Sequence, residues 1–425
     1  MPTLFILLYI AAVLLRPHEW VNALQGFPLT ITLELFCILT WAMQKKRFDA
    51  IQIKAVMLLN LFIIVSWIPF SINEGISSAI QFFVNQSLIV LLISNILDSK
   101  NKARLMLMLL VITSATMAIH GILQLADPDK TGWTGIRAMV RHDSGDEPVW
   151  QARYCGPFAD PNDMGMLLAS SLPILLYLYK TSSNFMQKVL WLGCGYFILQ
   201  GVYIVNSRGT ILAAVAPIGL YLALRYNVVK AIVPMLMALP VAIAILPSRV
   251  FISNDESSQG RIDAWYAGYQ MFKSYPITGV GMGNFIDHHH KTAHNSWVLA
   301  YAELGLIGFY FWMLMMFTAL YAVYHYSKKH NQEETLKLPN AEIVNQEAMM
   351  AKAIFYAFVA AMVSAFFLSR TYSILFYIYV GLCTASFYRM RDLLPEDKIK
   401  DLKVTLFLAS VAFIIFIAFI VLFKS

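Results

Sequence analysis

Charge is scarce in this chain. Only 13% of its 425 residues are Asp, Glu, Lys or Arg, 59% are hydrophobic, and the mean hydropathy is +0.62. A soluble globular protein carries about 25% charged residues. The deficit excludes a soluble enzyme folded around one core and leaves a polytopic membrane protein. Cysteine is rarer still: Cys37, Cys194 and Cys383 fall inside apolar runs, and Cys155 stands alone in a polar loop. One exposed thiol cannot close an internal disulfide, so no disulfide framework is expected. The opening stretch MPTLFILLYIAAVLL lacks a basic region and a cleavage site, and reads as a retained first span. No nucleic-acid-binding motif is present and the lysines are dispersed. The net charge of +7 therefore bears on topology and contact with membrane lipids, and nucleic acid is not an expected partner. A dinucleotide loop is missing too, because Gly279, Gly281 and Gly283 recur at intervals of two with no strand before them.

What is present is a series of apolar runs close to the roughly 20 residues that cross a bilayer. They predict spans near 3–15, 29–43, 55–72, 76–97, 105–125, 162–179, 189–205, 210–224, 231–246, 305–326, 351–368, 373–388 and 404–423. The expected fold class is an all-α polytopic membrane protein of about 12–13 transmembrane helices, one membrane domain over 1–425 with no sequence repeat. Lys and Arg counting sets the orientation. One set of connections holds 20 of the 32 basic residues, among them Lys45, Lys46, Arg47, Lys54, Arg225, Lys328, Arg389 and Arg391. That side is read as cytoplasmic, with the amino terminus. Two long loops, 126–161 and 247–304, then face outward. With thirteen spans the carboxyl terminus ends outside; with twelve it ends inside. The cytoplasmic connection from Lys328 to Met350 is mixed in charge and is expected to form a short solvated helix. Seven of the nine histidines fall on the outer side, so groups able to exchange protons near neutral pH gather there.

The segment from Arg261 to Gly308 is the one long stretch that mixes Arg, His, Asp, Glu and aromatics. Unpaired charge is costly in lipid, which places this segment over the helix ends. Ile262, Trp265, Tyr269 and Phe272 recur at helical steps, Ser257 and Ser258 could cap the start, and Pro276 follows the end. An amphipathic helix lying at the interface is expected, with Arg261 in its first turn, where it can meet an anion or simply lipid headgroups. The three glycines predict a tight turn that lets backbone approach a ligand. His294 precedes Asn295 and Ser296, strong capping residues, and a helix carrying Trp297, Leu299, Tyr301 and Leu304 runs on into the span at 305–326. The positive end of a helix dipole disfavours an imidazolium, and a neutral imidazole is what a general base needs. A capping or packing histidine is the plainer alternative. Asp287, His288, His289, His290 and His294 also raise a metal reading, which the turn-rich residues before them weigh against. Arg208, in Asn206-Ser207-Arg208-Gly209, and Arg370, in Ser369-Arg370-Thr371-Tyr372, are each pinned in a short outer connection, where a snorkelling role is the alternative. Arg137, Arg141 and Arg153 add charge to the smaller loop.

These residues resemble a known family. The SRG at 207–209, the RIDAW and YPITGVGMGNF within 261–285, the AHNSWVLAYAELGLIG at 293–308 and the GPFADPNDMG at 156–165 are similar to the O-antigen ligase family. That family takes in glycan ligases, protein O-oligosaccharyltransferases and, more distantly, O-antigen polymerases. The resemblance implies a metal-independent, inverting glycosyl transfer on the periplasmic face of the bacterial inner membrane, with no cofactor. The donor would be a glycan on an undecaprenyl-diphosphate carrier, and the acceptor a hydroxyl on a lipid, a protein or a glycan. Arg208 and Arg261 match the arginines that hold the diphosphate, and His294 matches the histidine that activates the acceptor. Glu303 matches an acidic residue of the same motif. Arg370 and Arg153 are further candidates for the diphosphate, and His290 and Asn295 for support of the acceptor. A polymerase would share the donor and take a second lipid-linked glycan as acceptor. A transporter or flippase for lipid-linked sugar would place polar residues near mid-membrane, whereas these arginines sit at one rim.

Overall fold

The computed structural model describes residues 1–141, 148–226 and 256–397, with Ala412 and Ile415. Within them the chain is helical, with one small hairpin. The helices are α1 (Pro2–Leu15), α2 (Leu29–Ala42), α3 (Ile51–Ser66), α4 (Ile72–Ile96), α5 (Lys100–Ala126), α6 (Pro161–Lys180), α7 (Phe185–Ile204) and α8 (Arg208–Tyr226). They continue with α9 (Glu256–Ser274), α10 (Ser296–Ser327), α11 (Ala341–Ala365) and α12 (Ile374–Leu393). Strands β1 (Met139–Arg141) and β2 (Val149–Gln151) pair antiparallel, with Val140 opposite Trp150.

Among the described residues, α4, α5, α8, α10 and α11 are long and apolar enough to cross a bilayer. The protein is an all-α, multi-pass membrane protein. Eleven of the thirteen expected spans overlap a helix; the runs at 231–246 and 404–423 lie outside the described residues, apart from Ala412 and Ile415. Helix starts follow their capping chemistry. Asp160 accepts from the N–H of Asn162 at 2.8 Å ahead of Pro161, Asn184 accepts from Met186 at 2.8 Å, and Ser71 caps the start of α4. A π-helical turn over Phe83–Ser87 interrupts α4.

The chain divides into two compact units. The first holds Met1–Cys37, Arg104–Asp255 and Tyr356–Ser364. Here α6 packs on α7 and α8, and the approach is close enough that a Cβ on Gly165 would lie 1.9 Å from the Thr210 hydroxyl. The Ser114 and Ser171 hydroxyls pair at 2.6 Å between α5 and α6, satisfying two polar groups in the apolar interior. The second unit holds Ile38–Ala103, Glu256–Phe355 and Ala365–Ser425. Its centre is α10, which packs on α3, α9 and α12, while α12 also packs on α4. Buried Arg389 on α12 bonds Glu347 on α11 through Nε at 3.1 Å and the Leu97 carbonyl after α4 at 2.8 Å.

Three expectations need correction here. Cys155 is buried, its thiol turned toward the Leu15 carbonyl, because the polar loop around it packs onto the end of α1. The connection after Lys328 holds only a single helical turn, Glu333–Leu336, and the residues from Ala341 onward already belong to α11, where Glu347 is drawn inside by Arg389. Ser257 and Ser258 lie within α9, not ahead of it.

Candidate functional site

The site is built outward from the first turn of α10. Asn295 caps the helix, accepting from the N–H groups of Trp297 at 2.9 Å and Val298 at 3.1 Å. His294 stands just before it with φ of 48°, a left-handed conformation uncommon for a residue with a Cβ. Such strain persists only when the surroundings fix it. The fixing bond runs from the His294 N–H to the Ser369 hydroxyl at 2.6 Å. Ser296 extends the tie: its hydroxyl donates to the Leu368 carbonyl at 2.7 Å and accepts from the Arg370 N–H at 2.9 Å. The Thr371 hydroxyl in turn donates to the Ser296 carbonyl at 2.7 Å. Two short connections far apart in sequence, His294–Ser296 and Leu368–Thr371, are thus stitched into one corner. These stitches tie His294 and Arg370 in by their main chain, and the Arg370 guanidinium also donates to the Ser369 carbonyl at 3.2 Å.

Helix α9 brings Arg261 to the same corner. The Arg261 guanidinium lies 6.0 Å from the ring centre of Phe367, and Trp265 and Trp297 both meet Phe366, at 5.8 and 6.0 Å. One connection, 366–371, therefore gathers three of the expected site residues: Arg261, His294 and Arg370. The buried face of α9 differs from the expected stripe. Ala264, Gly268 and Met271 are buried, Phe272 meets Tyr301 at 5.5 Å, and Ile262 is 46% exposed. Small residues face inward because α10 is close; a Cβ on Gly268 would lie 2.7 Å from Val298.

The glycine turn after α9 brings its backbone against that of α10. α10 breaks at Gly305, with φ of 63° and ψ of −167°. Into that break fits the turn: the Val280 N–H bonds the Ala302 carbonyl and the Gly281 N–H bonds the Glu303 carbonyl, each at 3.0 Å. A Cβ on Gly279 would lie 2.4 Å from the Glu303 backbone. The buried Glu303 side chain accepts from the Phe285 N–H at 3.2 Å, with the Tyr372 hydroxyl beside the same carboxylate. Glu303 thereby anchors the single helical turn Phe285–His288 from beneath.

The histidine run sits above that turn. The His288 ring pairs with the Asn284 carbonyl at 3.0 Å, and the His289 ring with the Lys291 carbonyl at 2.9 Å. His290 is exposed and its ring lies 4.4 Å from that of His289. Among the described residues no group of three His, Cys, Asp or Glu is placed to hold a metal ion.

Arg208 and Arg153 belong to the first unit. Arg208 opens α8 directly after Ser207, whose hydroxyl donates to the Asn162 side chain at 2.5 Å. Asn162 in turn donates to Asp160 at 2.8 Å. The SRG and GPFADPNDMG segments are therefore in contact. Asn206 is left-handed, with φ of 49°, and its carbonyl and that of Val205 accept from Gln151 of β2 at 2.8 and 2.9 Å. The hairpin thus steadies the start of α8, a role that sequence reading missed. The signal was there: Met139–Arg141 and Val149–Gln151 flank a turn-type cluster, Asp143-Ser144-Gly145-Asp146. The Arg153 guanidinium donates to the carbonyls of Arg137 at 2.7 Å and Ala159 at 3.3 Å, stapling the loop that carries it.

Residues 196–313 match the family model described as O-Antigen ligase, which spans Arg208, Arg261, His294 and Glu303. No curated protein is similar enough to match the chain.

Proposed function

We propose, from the match of residues 196–313 to the family model described as O-Antigen ligase, that the chain is an inverting glycosyltransferase of the periplasmic face, acting on a glycan carried by undecaprenyl diphosphate. The reaction joins the anomeric carbon of the glycan to an acceptor hydroxyl. His294 accepts the hydroxyl proton as the oxygen attacks; the bond from the anomeric carbon to phosphate breaks; the carrier diphosphate leaves with the electron pair. Positioned proton transfer of this kind contributes typically about 10²–10⁴-fold. Arg261 and Arg370 bind the departing charge, since guanidinium groups pair with phosphate bidentately and gain strength away from bulk water, and Arg208 is a further phosphate-binding candidate within the same matched segment. In this reading arginines do the work often given to a divalent ion, and chelation with EDTA leaves the rate unchanged.

The observation that carries the reading is the corner itself. A strained His294 is locked by its backbone to Ser369, one residue from Arg370, while Arg261 lies over Phe367. Strain held in place beside collected cations marks a functional position better than a packing one. Acceptor identity is the remaining choice, and the test is to supply purified protein with lipid-linked glycan and separate acceptors. A glycan joined to lipid A core, protein or another non-carrier hydroxyl makes it a ligase, and a lengthened lipid-linked glycan makes it a polymerase. Movement of the lipid across a vesicle wall with no covalent product would overturn both.

A further inference from the structure

A second polar site lies at the other end of α10. Between the start of α3, the last turns of α10 and the end of α12 is a cavity of about 460 Å³, within the range of small-ligand sites. It is lined by Gln52, Lys54, Tyr326, Phe387, Arg391 and Asp397 among others, all within the second unit. From Ser296 to Thr318 the helix advances roughly 30 Å at 1.5 Å per residue, so this cavity is separate from the corner at His294.

Two carboxylates and two cations line it, but they are not paired one to one. Asp49 pairs with Arg391, and Asp397 takes Lys329 at 3.0 Å and His325 at 3.3 Å. Both carboxylates are thus matched, and among the described residues Lys54 makes no ion pair. Arg391 is also held as a cation between Phe387 and Tyr388, each ring centre 5.2 Å away. Because Lys329, from outside the lining, answers Asp397, Lys54 is left for a ligand to answer. Two buried polar atoms are left as well. Gln52 spends its amide N–H on the Thr318 carbonyl at 3.0 Å while Oε1 has no partner, and the Tyr326 hydroxyl has none either. Both residues are at most 2% exposed. Buried polar atoms left unpaired in a cavity are costly unless something binds there.

We propose that this cavity binds a singly charged phosphodiester bearing a free hydroxyl, the chemistry of a phosphatidylglycerol headgroup or of a soluble glycerophosphodiester. The phosphate meets Lys54 and the outer edge of Arg391; the hydroxyl donates to Gln52 Oε1 and meets Tyr326. A pocket between helices that offers an unpaired lysine, on the side where Lys and Arg accumulate, is where anionic headgroups dock.

Native mass spectrometry of the full-length protein in detergent tests this with three probes: phosphatidylglycerol, phosphatidylethanolamine and chain-free glycerophosphoglycerol. Phosphatidylglycerol is expected to persist as a one-to-one adduct over phosphatidylethanolamine. Lys54→Ala should weaken it about fivefold, the effect of one basic residue at a lipid surface, Lys54→Arg should restore it, and Tyr326→Phe should erase the preference for the hydroxyl-bearing headgroup. Displacement of the lipid by millimolar glycerophosphoglycerol would assign the site to the soluble compound; no displacement assigns it to the lipid. An adduct that ignores Lys54→Ala, or equal retention of both lipids, overturns the proposal. His294→Ala should leave the adduct unchanged, which keeps this result independent of the transfer reaction.

Discussion

The two ends of α10 hold themselves together by opposite means. At the Ser296 end the ties are main-chain groups and hydroxyls: His294 N–H to Ser369, Ser296 to Leu368 and Arg370, Thr371 to Ser296. At the Ser327 end charged side chains make the ties directly, as in Arg389 to Glu347, Arg47 to Asp392 and Arg391 to Asp49. Where a charged group is itself the fastener, removing it costs stability. Where the backbone does most of the fastening, the proposed reaction predicts that losing the side chain costs reactivity more than stability. The contrast separates the arginines of this protein by role, although all of them look alike in sequence.

That contrast is open to attack by substitution. Arg370→Ala keeps the Arg370 N–H bond to Ser296 while losing the guanidinium's bond to the Ser369 carbonyl, so the purified variant should lose less stability than Arg389→Met while transfer falls about 10²–10³-fold, the cost of one donor to developing charge. A rate near that of the parent protein would show that the corner's cations are not used. At the opposite end Arg389→Met leaves Glu347 buried without its partner. That should destabilise the fold by about 3–5 kcal/mol, visible as a lowered thermal midpoint, with Glu347→Gln in the same chain recovering part of it. Replacing Asp392, 60% exposed in its pair with Arg47, should cost less than about 1 kcal/mol by the same measurement.

The glycine turn sharpens the comparison within one segment. Gly279→Ala would place a Cβ against the Glu303 backbone, whereas Gly283, with φ of 91°, has open space around it. Overpacking adds about 1–3 kcal/mol to the conformational strain that both share, so Gly279→Ala should unfold well before Gly283→Ala. Equal midpoints would mean that the turn does not fit the break in α10.

Two smaller effects concern ionisation. Arg391 holds the Asp49 carboxyl below its ordinary range, so the folded protein binds that proton more weakly than the unfolded chain does. The resulting stability is present above the ordinary carboxylate value and fades as pH falls through the lowered one. Asp49 is half exposed, so the acid limb is shallow, and Asp49→Asn should flatten it in thermal scans between pH 5 and 3 on the order of that window. Smallest of all is the response of Cys155. Burial pushes its thiol up to about 12, so a maleimide at neutral pH should label it only after denaturation.

Much of this arrangement could be read before the structure. Apolar runs located the helices because each must cover a bilayer, and the capping residue Asn295 marked where α10 begins. His294 and Arg370 were singled out by composition, since charge in an outer connection stands out against lipid-facing sequence. What sequence could not supply was pairing. Glu347 and Arg389 are 42 positions apart, and nothing local marks them as partners. The same holds for His294 and Ser369. Gly279 was legible as a turn, yet its neighbour, the broken turn at Gly305, comes from another helix. Cys155 looked exposed because its neighbours are polar, but a polar loop can still fold back over a helix end.

The central claim is that His294 draws the proton from the acceptor as the carrier leaves. Single-turnover release of undecaprenyl diphosphate, followed after mixing the lipid-linked donor with acceptor, tests it most directly. The account predicts acceptor-dependent release by the parent protein and at least about a hundredfold slower release by a folded His294→Ala variant. Release at the parent rate by that variant would contradict it.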